Sequence, residues 1–320
     1  MTIVDDINAA NTRIKTAPNS VRETPLELSS YFSELTGTSL YLKCEHFQRT
    51  GSFKLRGASN KLSQLSSQDK QRGVITASTG NHGQGVALAA RLLNIEATIC
   101  VPENASITKI DAIRRFGGKV HKVPGDGLAA ELAGLAMAQQ HNKMYVSPYN
   151  DYQIVCGQGT VGLELLAAQP DLDAVFVAVG GGGLIGGIGS YIKAINPNID
   201  IIGCWPSNAT TFYQALEQGK VIEVEEQDTL SDGTAGGVEQ DTITLPMCQQ
   251  VIDHKVLVSE QQIAQAMQLA AVHERYMIEG AAAVALAAAI QEAPKYAGKK
   301  IAVVLCGRNI MLSKFLEVVG

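Results

Sequence analysis

The chain has 320 residues, 46% of them hydrophobic and 18% charged, which is enough apolar mass for two domains or one large α/β unit. A formal net charge of −5, with no Lys/Arg cluster and no aromatic-basic stripe, excludes nucleic acid as an expected partner. The six cysteines (44, 100, 156, 204, 248 and 306) stand singly and none forms CxxC, so reduced thiols in a cytoplasmic protein are expected, and no metal site.

From the N-terminus, MTIVDDINAANTRIK lacks a basic region followed by an apolar run, so no signal peptide is expected. Residues 50–57, TGSFKLRG, set Lys54 behind Gly51, Ser52 and Phe53 where a loop turns into a helix. Taken alone, such a lysine reads as an ordinary surface charge at a helix start. From about residue 74 short β-branched runs alternate with helical patterns: GVITAS then NHGQGVALAARLLN, EATICVP then ITKIDAIRRFGG, KVHKV then LAAELAGLAMAQQH. This is a βαβ rhythm and predicts a parallel twisted sheet.

The segment MYVSPYNDY (144–152) is rich in turn formers and marks a boundary. A small α/β domain is expected over 48–148, and a large one from 1–47 plus 149–320, with a cleft between them. In the second block DAVFVAVG leads through glycines to a helix, DIIGCWP forms a strand, and helices are expected over 209–217, 259–275 and 279–291 before the strand KKIAVVLCG. The stretch 219–246 is the expected long loop. The run GAAAVALAAAI (280–290) is too short to span a bilayer and reads as a buried helix, so no membrane partner is expected.

Two loops carry ligand-type chemistry. TASTGNHGQG (76–85) lies at a strand's C-terminal edge, where open α/β sheets bind ligands. Ser78, Thr79, Gly80 and Asn81 offer hydroxyls, N–H groups and a carboxamide suited to a carboxylate, although Asn81 and Ser78 also suit a helix cap and a turn. His82 reads as structural. AVGGGGLIGG (178–187) follows a buried strand and opens a helix, and Gly180, Gly181, Gly182 and Gly183 let the backbone close on a phosphate. The run also satisfies G-x-G-x-x-G, but the next strand ends in Trp205 and Pro206 instead of the acidic residue a dinucleotide site uses.

Taken together, SFKLRGA, STGNHGQG, GQGTVGLEL (157–165) and GGGGLIGG resemble the fold-type II pyridoxal-phosphate enzymes, and within them the threonine/serine dehydratases and serine racemases. The resemblance covers nearly the whole chain and implies a tryptophan synthase β-like α/β fold, with parallel twisted sheets in two domains. It implies pyridoxal 5'-phosphate in a Schiff base with Lys54, Phe53 against the pyridine ring, Asn81 on the ring hydroxyl and Gly180 to Gly183 on the phosphate. Ser78, Thr79 and Gly80 would take the carboxylate of an amino-acid substrate, with His82 at the same end. Lys54 would move the α-proton, and a β-hydroxy-α-amino acid would yield a 2-oxo acid and ammonia.

Cys306, in VVLCGRNI (303–310), stands where relatives place Ser, Thr or Cys beside the pyridine nitrogen. A neutral thiol there disfavours a long-lived carbanion, which favours elimination over transamination. Thr79 replaces the serine of racemising relatives. Trp205 and Thr211 stand where metal-stimulated relatives carry acidic ligands. Arg308 replaces the second glycine of the usual GGN and is expected near the ring nitrogen. SDGTAGGVE (231–239), IEGAAAVALAA and CGRNI look most like dehydratase-like proteins of hydroxyectoine utilisation, which leaves a 3-hydroxyaspartate-type substrate or an amino-acid racemase as alternatives. A β-replacement synthase fits less well, because GNHGQG stands where such enzymes read GNTG. A non-catalytic cofactor-binding protein is the rival from another class. The family further suggests a homodimer and, from where the chain ends, no regulatory C-terminal domain.

Overall fold

The computed structural model describes residues 2–19 and 21–320. Ten strands are present among them: β1 (Leu26–Leu28), β2 (Ser39–Lys43), β3 (Val74–Ala77), β4 (Ala97–Pro102), β5 (Lys119–Val123), β6 (Met144–Tyr145), β7 (Ala174–Ala178), β8 (Asp200–Pro206), β9 (His254–Val258) and β10 (Lys300–Val304). They form a four-stranded sheet in the order β5-β4-β3-β6 and a six-stranded sheet in the order β1-β2-β10-β7-β8-β9. Every pairing is parallel except β1 with β2. The predicted βαβ rhythm is realised. Central strands such as β7, AVFVA, are buried at every position because helices cover both faces of a parallel sheet.

Alanines decide what lies on the six-stranded sheet. In the helix Gly280–Glu292, residues 280–289 are all buried, and their small side chains let the helix lie close against β7, β8, β9 and β10. The expected helix over 259–275 is α-helical only as far as Leu269. A π-helical turn, Ala270–Glu274, follows and closes with Arg275 in the left-handed region at φ 63°. The expected loop over 219–246 is irregular until the helix Thr244–Val251 begins.

The glycines of GQGTVGLEL are explained by close helix packing. In the helix Tyr152–Ala168, a Cβ at Gly157 would come within 2.5 Å of Gly57 Cα, and one at Gly162 within 3.0 Å of the Ile188 carbonyl. On the facing helix, a Cβ at Gly187 would meet Val155 O at 2.4 Å. The helix Tyr152–Ala168 therefore holds two others directly against its backbone: Lys54–Ser63, which begins at the motif lysine, and Gly183–Ile195, which begins at the glycine run. Both starts open on the same cavity.

Beneath the Lys54 helix lies a buried ionic cluster. Arg56 forks onto two carboxylates, with Nε and Nη2 each 2.8 Å from Glu45, and Nη1 and Nη2 at 2.9 and 2.7 Å from Glu164. Lys43 Nζ adds a bond of 2.7 Å to Glu164. Burial alone would raise the Glu164 carboxyl, but Arg56 and Lys43 outweigh it and hold the group down at about 2. The cluster ties β2 and the turn after it to the helix that carries Lys54.

Candidate active site

A cavity of about 260 Å³ lies between the two sheets, at the C-terminal edges of β3, β7 and β10. Its walls include Phe53, Lys54, Ser78, Thr79, Gly80, Asn81, His82, Gly180, Gly181, Gly182, Gly183 and Cys306. The structure thus brings these residues, singled out from the sequence, around one cavity.

Lys54 is held by the chain around it. The segment before it pairs with the segment after β10: Ser52 and Gly307 form an antiparallel bridge, Phe53 N donates to Cys306 O at 3.2 Å, and Arg308 N donates to Gly51 O at 2.9 Å. Gly51 makes this possible, with φ at 78° and no Cβ to strike Asn309. Lys54 Nζ donates to the Pro148 carbonyl at 2.9 Å. Burial, only partly offset by Cys306 and Glu279, lowers its pKa to about 8. A neutral, nucleophilic amine is therefore accessible near neutral pH. The neighbouring Cys306 thiol is pushed well above its ordinary range by burial and stays protonated.

The glycine run makes an uncapped helix start. Gly182 is the N-cap, in the left-handed region at φ 80°, and no side chain accepts from the first turn. Thr244 Oγ1 donates to the Gly181 carbonyl at 2.7 Å, which fixes the loop from behind. A Cβ at Gly182 would lie 2.7 Å from the Phe212 ring, and one at Gly181 2.4 Å from Tyr149. With no room for side chains, the free N–H groups of the first turn line the cavity, and the chemistry they match is an anion's.

The loop after β3 supplies the opposite wall. Ser78 Oγ accepts from Gly80 N at 3.1 Å, and the helix Asn81–Leu92 also starts without a side-chain cap. His82 is buried, with Nε2 2.9 Å from the Val146 carbonyl and Nδ1 without a partner. Burial, reinforced by the Lys54 charge, lowers it to about 3, so the ring is neutral.

Among the side chains of the cavity wall that the sequence does not single out, Glu279 and Asn309 bond directly to Asn81. Glu279 is buried at the start of the alanine helix. Its Oε1 accepts from Asn81 Nδ2 at 2.7 Å and its Oε2 from Asn309 N at 2.8 Å. Burial raises it to about 7, against the pull of these two donors. Asn309 Nδ2 in turn donates to Asn81 Oδ1 at 2.5 Å and to Thr50 O at 2.8 Å. One acidic residue directly ahead of a long buried apolar run was the available signal for Glu279. A carboxylate is rarely placed in such a context without a task.

Arg308 corrects an expectation. Its side chain does not line the cavity; it is exposed and lies over the Phe47 ring at 5.8 Å. Inside, the guanidinium would lose its hydration while the carboxylate of the wall, Glu279, is already engaged by Asn81 and Asn309; outside it keeps water and an aromatic face. Asn309, one residue on, takes the inward place. At Thr211, among the positions matched to acidic ligands elsewhere, Oγ1 donates to Glu226 at 2.5 Å, while Trp205 is buried in β8. Among the described residues no group of three or more His, Cys, Asp or Glu is placed to hold a metal ion, and no helix is long and apolar enough to cross a membrane.

Comparison with known proteins adds three findings. The profile of the family described as "Pyridoxal-phosphate dependent enzyme" matches residues 18–307. Among curated proteins, an L-threonine ammonia-lyase of Thermotoga maritima is 40% identical over 310 residues, 97% of this chain and 76% of that protein. A serine racemase of Dictyostelium discoideum is 34% identical over 319 residues, 98% of this chain and 97% of that protein. Among solved structures, the processed form of threonine deaminase isoform 2 from Solanum lycopersicum superposes with a TM-score of 0.92 at 37% identity, covering 98% of this chain and 92% of that one.

Proposed function

Because the chain belongs to the family of pyridoxal-phosphate dependent enzymes, we propose that it is an ammonia-lyase acting on a β-hydroxy-α-amino acid such as L-threonine or L-serine, with a 2-oxo acid and ammonia as products. The observation that carries the lyase reading is Cys306, a buried thiol held neutral at the end of β10, beside Lys54 in the cavity. The 40% identity to a threonine ammonia-lyase over 97% of the chain supports the same choice.

The residues fit the cofactor on their own terms. An uncapped helix start, walled so closely that only glycine fits, leaves N–H donors for a phosphate, and an amine with its pKa lowered to about 8 suits attachment to an aldehyde. Bound there, pyridoxal phosphate supplies an electron-withdrawing ring that stabilises negative charge at the substrate's α-carbon. Gly180 to Gly183 would hold its phosphate, and Phe53, Asn81 and Cys306, which line the same cavity, would hold its ring at the face, the hydroxyl and the nitrogen. Ser78, Thr79 and the Gly80 N–H bind the substrate carboxylate. Lys54 Nζ accepts the α-hydrogen as general base, a role its lowered pKa suits at neutral pH.

We take the two sheets as the cores of two domains, 48–148 and 1–47 plus 149–320, and the active form as a cytoplasmic homodimer. The six free, buried cysteines support a reducing compartment. The test is to follow the visible absorption of the holoenzyme while L-threonine is added, and to assay 2-oxo acid and D-threonine. A spectral change followed by 2-oxo acid is expected. D-threonine without 2-oxo acid would replace the lyase with a racemase, and no response to threonine or serine would move the substrate to another hydroxy amino acid, such as one with a second carboxylate.

A further inference from the structure

We propose that Glu279 is a positioning residue, which locks the carboxamide of Asn81 so that it presents an N–H donor, never its carbonyl, to the cofactor. An asparagine side chain can turn over at little intrinsic cost and exchange a donor for an acceptor. Here its neighbours forbid the exchange. Glu279 Oε1 accepts from Asn81 Nδ2 at 2.7 Å, and the ionised carboxylate can only accept. Asn81 Oδ1 receives Asn309 Nδ2, and the orientation of Asn309 is itself set by the Thr50 carbonyl at 2.8 Å, another group that only accepts.

Turning Asn81 over would press an oxygen against the carboxylate and an NH2 against the NH2 of Asn309, leaving two buried pairs repelling. One hydrogen of Asn81 Nδ2 goes to Glu279, and the second remains for the cavity that Asn81 lines. Glu279 is held in its turn: Asn309 N donates to Oε2 at 2.8 Å, and Glu279 N donates to the Gly307 carbonyl at 3.2 Å. The segment that places Cys306 thus also anchors the carboxylate that orients Asn81.

The consequence rests on the placement of the cofactor's ring hydroxyl against Asn81 argued above. A fixed donor stabilises the ionised ring oxygen and disfavours the neutral hydroxyl, which would need an acceptor there. Glu279 therefore sets the protonation state of the bound cofactor without touching it.

The experiment compares the ratio of long- to short-wavelength absorption of the bound cofactor in the wild-type holoenzyme, Asn81→Ala, Glu279→Gln and Glu279→Asp. In Glu279→Gln one acceptor oxygen becomes an NH2, so Asn81 can turn over. The ratio is expected to fall about three- to tenfold, the equilibrium equivalent of one hydrogen bond. Asn81→Ala should fall at least as far, and Glu279→Asp, which keeps two acceptors on a shorter stem, should recover part of the loss. A wild-type ratio in Glu279→Gln beside a lowered one in Asn81→Ala overturns the positioning role while the cofactor placement stands. A wild-type ratio in Asn81→Ala overturns the placement itself. If Glu279→Gln does not fold, Glu279→Met, which removes both acceptors at similar volume and so frees Asn81 to turn, carries the same expectation and the same contrary result.

Discussion

Two cations on one helix, Lys54 and Arg56, have opposite fates. Arg56 is fully buried and answered by two carboxylates in paired contacts, Glu45 and Glu164, with Lys43 completing the charge balance. Lys54 is half-buried and its amine bonds a backbone carbonyl with no ion-paired carboxylate, so burial, only partly offset by Cys306 and Glu279, lowers its pKa. Compensated charge makes a permanent brace, and uncompensated charge makes a reagent. The brace sits directly under the reagent, because the first turn of one helix serves both.

That contrast can be broken in order of effect. Lys54→Met should lower turnover by about 10³-fold or more, the scale of losing a positioned base and nucleophile, while the denaturant midpoint stays equal or rises because an uncompensated amine has left the interior. A midpoint that falls sharply would make Lys54 a brace as well. Arg56→Met leaves Glu45 buried without its cation and Glu164 with lysines alone, and should cost about 3–5 kcal/mol in urea unfolding. Cofactor content in the surviving folded fraction tells whether the brace positions Lys54.

The smallest effect is the acid limb of stability. Glu164 has its carboxyl lowered from 4.5 to about 2 in the folded chain. A depressed carboxylate contributes stability that is complete above its unfolded value and is lost as pH falls through the folded one. The urea midpoint should therefore drop as pH is lowered from about 4.5 towards about 2. In Arg56→Met this limb should become shallower, because Arg56 no longer helps Lys43 to hold Glu164 ionised.

Much of the site was readable because its parts are local. The glycine run, the TGSFKLRG turn and the STGNHGQG loop each combine a strand or loop end with a helix start, and each keeps its chemistry within about one turn of chain. Arg308 was misplaced for a reason of solvation. One-residue differences in direction after a strand decide whether a charge faces a cavity or water, and only the packed surroundings fix that direction. Glu279 escaped for a reason of distance: its bond to Asn81 spans 198 positions, and nothing near residue 279 announces a partner so far away.

Periodicity and turn chemistry act over a few residues, so the parallel sheets and the helix starts follow from the order of amino acids alone. Which carboxylate answers which donor does not. Arg56 with Glu45 and Glu164, and Glu279 with Asn81 and Asn309, are matches made only after the two sheets close around one cavity. Burial strips water from every polar group, so each must find its partner among whatever the fold has brought near, and that inventory exists only in three dimensions.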